Sequence, residues 1–362
     1  MDHKGRQKRL QGVLDENRLD ALLITHLPNV RYLCGFAGSA AALLVTESKT
    51  VFFTDGRYTE QARDEVQGAS LVIARKPPLV AAGEWLAEKG KKLGVRTIGI
   101  EGEHLSVAER ARLAKSLGTG FRLREAPPLV EQARMVKDAE EMERLRAAVV
   151  LGASLFDVVL QAIRPGVKEV EIAAEMEYAA RRAGAEAMSF ETIIASGPRS
   201  ALPHGRASEA AIPASGFVVC DFGVILAGYC SDRTRTVHVG VPSPESRRMY
   251  SAVQEAQQVA MAAVRPGISV GEVDQAARNV LKKNGLGKNF THSTGHGVGL
   301  EIHEAPRIAV EQTEILKPGM VITVEPGVYV SGVGGVRIED MVVVTDRGCE
   351  VLTPTSRELI TI

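Results

Sequence analysis

Apolar residues recur along this chain at two spacings. Through residues 1 to about 125, short apolar runs alternate with mixed stretches. Residues 21–25, 42–45 and 51–53 read as strands and residues 9–17 and 58–66 as helices, with Gly35, Gly38 and Gly56 marking turns. Pro127-Pro128 interrupts the alternation. Beyond it, Asp138 with Glu141 three positions on gives a capping-box start to a long helix over 139–160. The pattern predicts an α/β (α+β) chain with a smaller domain over 1–130 and a larger one over 134–362.

The larger domain repeats itself. Arg164-Pro165-Gly166 recurs as Arg265-Pro266-Gly267, an offset of 101 positions, and the stretch after each ends on a glycine at that offset, Gly184 and Gly285. Ile172, Met176 and Ala179 match Val273, Ala277 and Val280 at i, i+4, i+7, the inward face of an amphipathic helix. Each copy then reaches an apolar strand ending in acid-x-Gly, Asp221-Phe222-Gly223 and Glu325-Pro326-Gly327. A second strand with another acid follows, Asp232 in one copy and Glu339 in the other. Two such units converge naturally on a pseudo-twofold axis.

Asp221, Glu325 and Glu339 fall within runs that otherwise read as buried strand, residues 218–222, 321–325 and 336–342. A lone ionised carboxylate there costs several kcal/mol. Cations shared between the acids would remove that cost: four carboxylates balance two divalent ions, and a neutral imidazole completes the set.

Five of the eight histidines lie between residues 204 and 303. His292, His296 and His303 stand in a glycine-punctuated segment, where backbone can approach a metal or substrate closely, and imidazole suits Zn, Mn or Co. His296 reads as the ligand, and His292 and His303 as hydrogen-bond donors to a developing oxyanion. His204 reads as a loop contact to substrate, and His238 as structural. No H-E-x-x-H is present. Arg337, two residues before Glu339, is expected on the same strand face, paired with a metal-bridging acid. Arg307 could grip a substrate carboxylate. Residues 331–335, glycine-rich but without Lys-Ser/Thr, read as a hairpin turn.

Composition excludes more than it selects. Hydrophobic residues make up 45% and charged residues 24%, ordinary for a globular chain. Lys plus Arg equals Asp plus Glu at 44 each, so no global field points to nucleic acid or an anionic membrane. No apolar run is expected to reach membrane-spanning length. The four cysteines lack C-x-x-C spacing, which favours reduced thiols in a cytoplasm. Cys220, beside Asp221, should point to the opposite strand face.

These motifs carry a specific resemblance. Asp221 and Asp232 in Asp-Phe-Gly and Ser-Asp-Arg-Thr-Arg-Thr, His296 in Gly-His-Gly-Val-Gly-Leu, Glu325 in Val-Glu-Pro-Gly-Val-Tyr, and Glu339 in Val-Arg-Ile-Glu-Asp resemble the five metal ligands of the proline-specific metallopeptidases of family M24. That group has the pita-bread fold and includes aminopeptidase P and prolidase. Tyr32-Leu33-Cys34-Gly35-Phe36 and Asp55-Gly56-Arg57-Tyr58 resemble the creatinase/prolidase N-terminal domain.

The resemblance implies a pita-bread catalytic domain that hydrolyses the Xaa-Pro bond at the N-terminus of dipeptides or short peptides through a metal-bridging hydroxide. It implies that Asp221 chelates one metal and that Asp232 and Glu339 bridge both. His296 and Glu325 would complete the second ion, with Glu325 also shuttling a proton. His204, His292, His303 and Arg337 would face substrate or its tetrahedral intermediate. It further implies a homodimer, and the oxygen-rich ligand set fits Mn or Co best, with Zn acceptable. Methionine aminopeptidase shares the catalytic architecture, but the extra N-terminal domain and the Ser-Asp-Arg-Thr-Arg-Thr segment argue against it. The intact ligand set argues against creatinase, which does not use these metals, and against a non-catalytic peptide-binding relative.

Overall fold

A computed structural model describes residues 1–362, which divide into two compact units, Met1–Arg134 and Met135–Ile362. The first unit is built on a six-stranded sheet in the order Ser70–Ala74, Thr50–Asp55, Ala42–Thr46, Ala21–Ile24, Thr97–Ile100, Arg122–Glu125. Its central strands are buried on both faces, which is why they read as unbroken apolar runs. Leu23, Leu44, Phe53, Ile98 and Leu86 form one core layer.

The helix expected at 9–17 lies instead at His3–Gly12, where the Asp2 side chain accepts from the Gly5 amide. Its inward face is polar. Arg6 donates to the Tyr32 carbonyl at 2.9 Å, and Gln7 donates to the carbonyls of Leu33 at 2.9 Å and Gln67 at 2.8 Å. Apolar periodicity could not register such a helix. Helix Leu27–Cys34, also unanticipated, starts with proline in its first turn and stops at Gly35, whose φ of 90° suits glycine.

The second unit carries the repeat as two helix pairs, Ala139–Ala162 with Glu169–Arg182 and Pro244–Ala263 with Val270–Lys283. Asp138 and Glu141 form a capping box at the first of these. The two matched helices end at Gly184 and Gly285, both left-handed with φ of 100° and 76°. Each pair has its own core. One is Phe156, Val159, Ile172, Met176, Val218 and Cys220, and the other includes Val253, Val273, Ala277, Ile322 and Val342. On length and composition Ala139–Ala162 could cross a bilayer, contrary to the expectation from apolar runs. Here its Leu155, Phe156 and Val159 face lies in the domain core.

A three-stranded sheet runs Thr234–Val239, Gly216–Asp221, Ile193–Ser196, and a five-stranded one Glu304–Ile308, Gly295–Gly297, Val321–Val324, Asp340–Val344, Cys349–Val351. Gly327–Val330 and Gly334–Arg337 form a separate hairpin around the turn expected at 331–335. Residues 336–342 are therefore not one strand. The chain leaves the hairpin after Arg337 and joins the five-stranded sheet at Asp340, held across the gap by the Glu339 amide donating to the Thr234 carbonyl at 3.1 Å.

Candidate active site

The acids stand at strand ends rather than within strands. Asp221 is the last residue of Gly216–Asp221, Asp232 lies between Tyr229–Cys230 and Thr234–Val239, Glu325 follows Val321–Val324, and Glu339 occupies the step between two sheets. Ends suit this chemistry because the backbone there is released from ladder pairing, so several carboxylates can turn into one cleft. His296 is the middle of Gly295–Gly297. A Cβ on Gly295 would sit 2.0 Å from the Thr323 carbonyl oxygen, and on Gly297 2.2 Å from that of Ala305. Only glycines let this strand lie close enough for His296 to face the acids.

The His296 ring decides what the cleft can hold. Nδ1 donates to the Gly297 carbonyl at 2.9 Å, which leaves Nε2 as a bare lone pair. That lone pair lies 3.5 Å from an oxygen of Asp232 and 3.5 Å from an oxygen of Glu325. Donor atoms of Asp232, His296 and Glu339 all fall within 4.8 Å of one another. Asp221, Asp232 and Glu339 are buried at 7%, 5% and 2% exposure, and Asp221 Oδ1 and Glu339 Oε1 have no hydrogen-bond partner. Lone pairs facing lone pairs, with orphaned carboxylate oxygens beside them, fit a site that shares cations.

Without a cation, protons must do that work. Burial, with repulsion from Asp221 and Glu325, pushes the Asp232 carboxyl well above its usual range. Burial and Asp232, Glu325 and Asp221 do the same to Glu339. Burial lifts Glu325 to about 7 against the opposing pull of Arg337. Carboxyls raised in this way stabilise the fold below their unfolded values, near 4, and that stability is lost as pH rises through the folded values. His292, His296 and His303 are lowered, chiefly by burial, and cost stability below about pH 6.5. Above about pH 7 they are neutral in both states. Thermal scans of chelated protein should therefore show Tm falling as pH rises through neutrality, with the gain from added Mn2+ growing over the same interval. A gain independent of pH would contradict this.

Arg337 organises the opposite wall. Its Nη2 pairs with Asp221 Oδ2, Nε donates to Thr234 Oγ1 at 3.1 Å, and Nη1 donates to the Pro203 carbonyl at 3.0 Å and the Tyr329 hydroxyl at 2.6 Å. Thr234 in turn donates to Glu339 Oε2 at 2.7 Å. Desolvation opposes the Arg337 charge, but Tyr329, Asp221, Glu325 and Glu339 outweigh it and hold the guanidinium protonated. The expected pairing with a bridging acid is thus replaced by one with Asp221, and Glu339 is reached only through Thr234.

Tyr329 was not anticipated. Burial pushes its hydroxyl up to about 12, so it stays a donor, and it meets His292 Nε2 at 3.0 Å. His292 Nδ1 donates to the Ser293 carbonyl at 2.8 Å, which makes Nε2 the acceptor of the Tyr329 proton. Burial and Arg337 lower His292 to about 4, so the ring is neutral at pH 7. Neither nitrogen has a proton left for substrate in this arrangement, contrary to the donor role expected from sequence.

His204, His303 and Arg307 are exposed to a cavity of about 640 Å3 that Asp221, Asp232, His292, His296, Glu325, Arg337 and Glu339 also line. All the sequence-selected residues thus meet at one cavity. The His303 ring stands edge-on to His296 with centroids 4.4 Å apart, and Arg307 sits opposite His296 in the sheet register. Cys220 faces the core, as its strand parity requires.

Residues 143–346 match metallopeptidase family M24, and residues 6–136 match the creatinase/prolidase N-terminal domain. The chain is 38% identical to the Xaa-Pro dipeptidase of Pyrococcus furiosus over 360 residues, spanning 99% of this chain and 100% of that protein. Among solved structures it resembles a Xaa-Pro dipeptidase from Bacillus anthracis, with a TM-score of 0.94, 39% identity and full coverage of both chains. It also resembles an X-Pro aminopeptidase from Thermotoga maritima, with a TM-score of 0.89 and 37% identity over 99% of this chain and 100% of that one.

Proposed function

The chain belongs to metallopeptidase family M24, and from that premise we propose how it works as a metal-dependent Xaa-Pro peptidase. The single observation that carries the reading is the His296 lone pair held 3.5 Å from two carboxylates with no proton of its own to offer them. Asp221, Asp232, His296, Glu325 and Glu339 would hold two divalent ions, for which Mn or Co suits the oxygen-rich donor set best. Such ions, when bound, neutralise the acids, polarise the scissile carbonyl and make water nucleophilic near neutral pH.

The chain's own groups do the rest. Glu325, at the cavity wall, accepts the proton of the attacking water and returns it to the departing proline nitrogen. His204 and His303, exposed to the cavity, steady the oxygen of the tetrahedral intermediate. Arg337, spent on Asp221 and Tyr329, fixes the wall. Proline explains the need for such a site, because its tertiary amide lacks the N–H through which strand-docking peptidases align substrate.

Chelation should abolish Ala-Pro hydrolysis and Mn2+ or Co2+ should restore it. Full activity in metal-stripped protein would refute the reading. The relatives include both dipeptidases and an aminopeptidase. Arg307, exposed at the cavity and free of protein partners, favours substrates with a free proline carboxylate. Arg307→Met should raise KM for Ala-Pro by about tenfold and leave Ala-Pro-Ala nearly unchanged; equal effects on both would remove Arg307 from this role. Four unpaired cysteines support a cytoplasmic setting, and the family resemblance supports a homodimer, to be checked by sedimentation.

A further inference from the structure

Each half of the second unit buries one helix carboxylate that stays out of the cavity lining yet holds a segment bearing a cavity histidine. In the first half it is Glu169, the opening residue of Glu169–Arg182, with no exposed surface. Its Oε1 accepts from the Ser196 amide at 2.8 Å and hydroxyl at 2.9 Å, and its Oε2 from the Ser208 amide at 3.1 Å and hydroxyl at 2.7 Å. Arg199 donates Nε to Oε2 at 3.1 Å and reaches the Arg206 carbonyl with Nη2 at 2.9 Å. Both ends of the 196–208 arc are thereby pinned to one side chain. His204 projects from that arc, and no hydrogen bond of its own fixes its ring.

The second half repeats the arrangement around Asp274, equally buried. Its Oδ1 accepts from the Thr294 amide at 3.2 Å and hydroxyl at 2.8 Å. Arg278 donates Nε to Oδ2 at 2.6 Å, reaches the His292 carbonyl at 2.6 Å and the Phe290 carbonyl at 3.3 Å, and lies 4.3 Å over the Phe290 ring. Duplication did not simply copy one device into both halves. At the offset of 101, Glu169 aligns with Val270 and Asp274 with Ala173. Apolar packing would serve stability alone at least as well as a buried ion pair. A carboxylate that collects amide, hydroxyl and arginine from one segment instead fixes where that segment stands.

We infer that Glu169 and Asp274 are positioning residues for the reaction, acting through His204 and His292 respectively. The inference rests on the reading that His204 serves substrate and that His292 holds Tyr329 in place beside Arg337 in the wall of the site. It is tested with full-length, cation-loaded protein, with rates counted per cation-bound chain. Glu169→Gln and Asp274→Asn should each lower kcat/KM for Ala-Pro by about tenfold to a hundredfold. Glu169→Gln should add little once His204→Ala is present, and Asp274→Asn little once His292→Ala is present, while the crossed pairs stay additive.

A purely structural role would cost the same in every background, and that result overturns the inference. Should the buried substitutions prevent folding, Arg199→Gln and Arg278→Gln break the same clamps from their partly exposed side and enter the same cycles. Hydrogen exchange reads the clamps without turnover: residues 197–208 should exchange faster in Glu169→Gln and residues 290–294 in Asp274→Asn, each without the other. Unchanged or global exchange overturns the clamps. Local loosening in a protein that cleaves no Xaa-Pro peptide supports the clamps and sinks the substrate reading alone.

Discussion

Asp232→Ala should cost at least about a thousandfold in Xaa-Pro kcat/KM, corresponding to roughly 4 kcal/mol of transition-state stabilisation. Asp232 sits 3.5 Å from the His296 lone pair and within reach of Glu339, at the centre of the cluster that would be shared between ions. The loss should come with loss of bound metal, measured on the same sample. Stability should move differently. Without a cation, Asp232 is a buried carboxyl that burial and two neighbouring acids force to keep its proton. Its removal should therefore leave the Tm of chelated protein level or slightly higher, while the Tm gain from Mn2+ disappears. A variant that keeps its metal and near-normal turnover would contradict this assignment.

Arg337→Met should produce the largest loss of stability. The guanidinium is 4% exposed and is the counter-charge to Asp221, whose second oxygen already lacks a partner. Removing it strands a buried carboxylate, at a cost of about 3–5 kcal/mol, or about 10 °C in the Tm of the catalytic unit. It also takes the donors from Thr234, Tyr329 and the Pro203 carbonyl, so turnover should fall with it. Arg337→Lys keeps the charge but not the forked geometry and should fall in between. Adding Asp221→Asn to Arg337→Met should recover part of the chelated protein's stability. A cost below about 1 kcal/mol for Arg337→Met would show that Asp221 does not depend on it.

The repeat and the converging acids were legible because they rest on periodicity and on the cost of burying charge. Ile172 and Met176, Val273 and Ala277 recur at helical spacing, and Asp221 and Glu325 follow apolar runs too greasy to tolerate them alone. Direction was harder. Residues 336–342 look like one strand, yet the chain changes sheet at Glu339, which only long-range pairing with Thr234 decides. The His3–Gly12 helix hides because it buries Arg6 and Gln7 against backbone carbonyls.

Hydrogen-bond direction at His292 depends on the Ser293 carbonyl and Tyr329, and composition says nothing of either. Tyr329 itself could have been found. Given the hairpin at 331–335, two-residue alternation places Tyr329, Gly327 and Arg337 on one face. The buried Glu169 and Asp274 left no trace in sequence, since acids near a helix start are ordinary.

The most direct test is a titration of chelated protein with Mn2+ at neutral pH, following binding by calorimetry and Ala-Pro hydrolysis in parallel. Two ions per chain are expected, activity should appear as they fill, and Asp232→Ala should abolish both responses. No binding, together with undiminished hydrolysis in the chelated protein, would show that the four acids around His296 are not there to share cations.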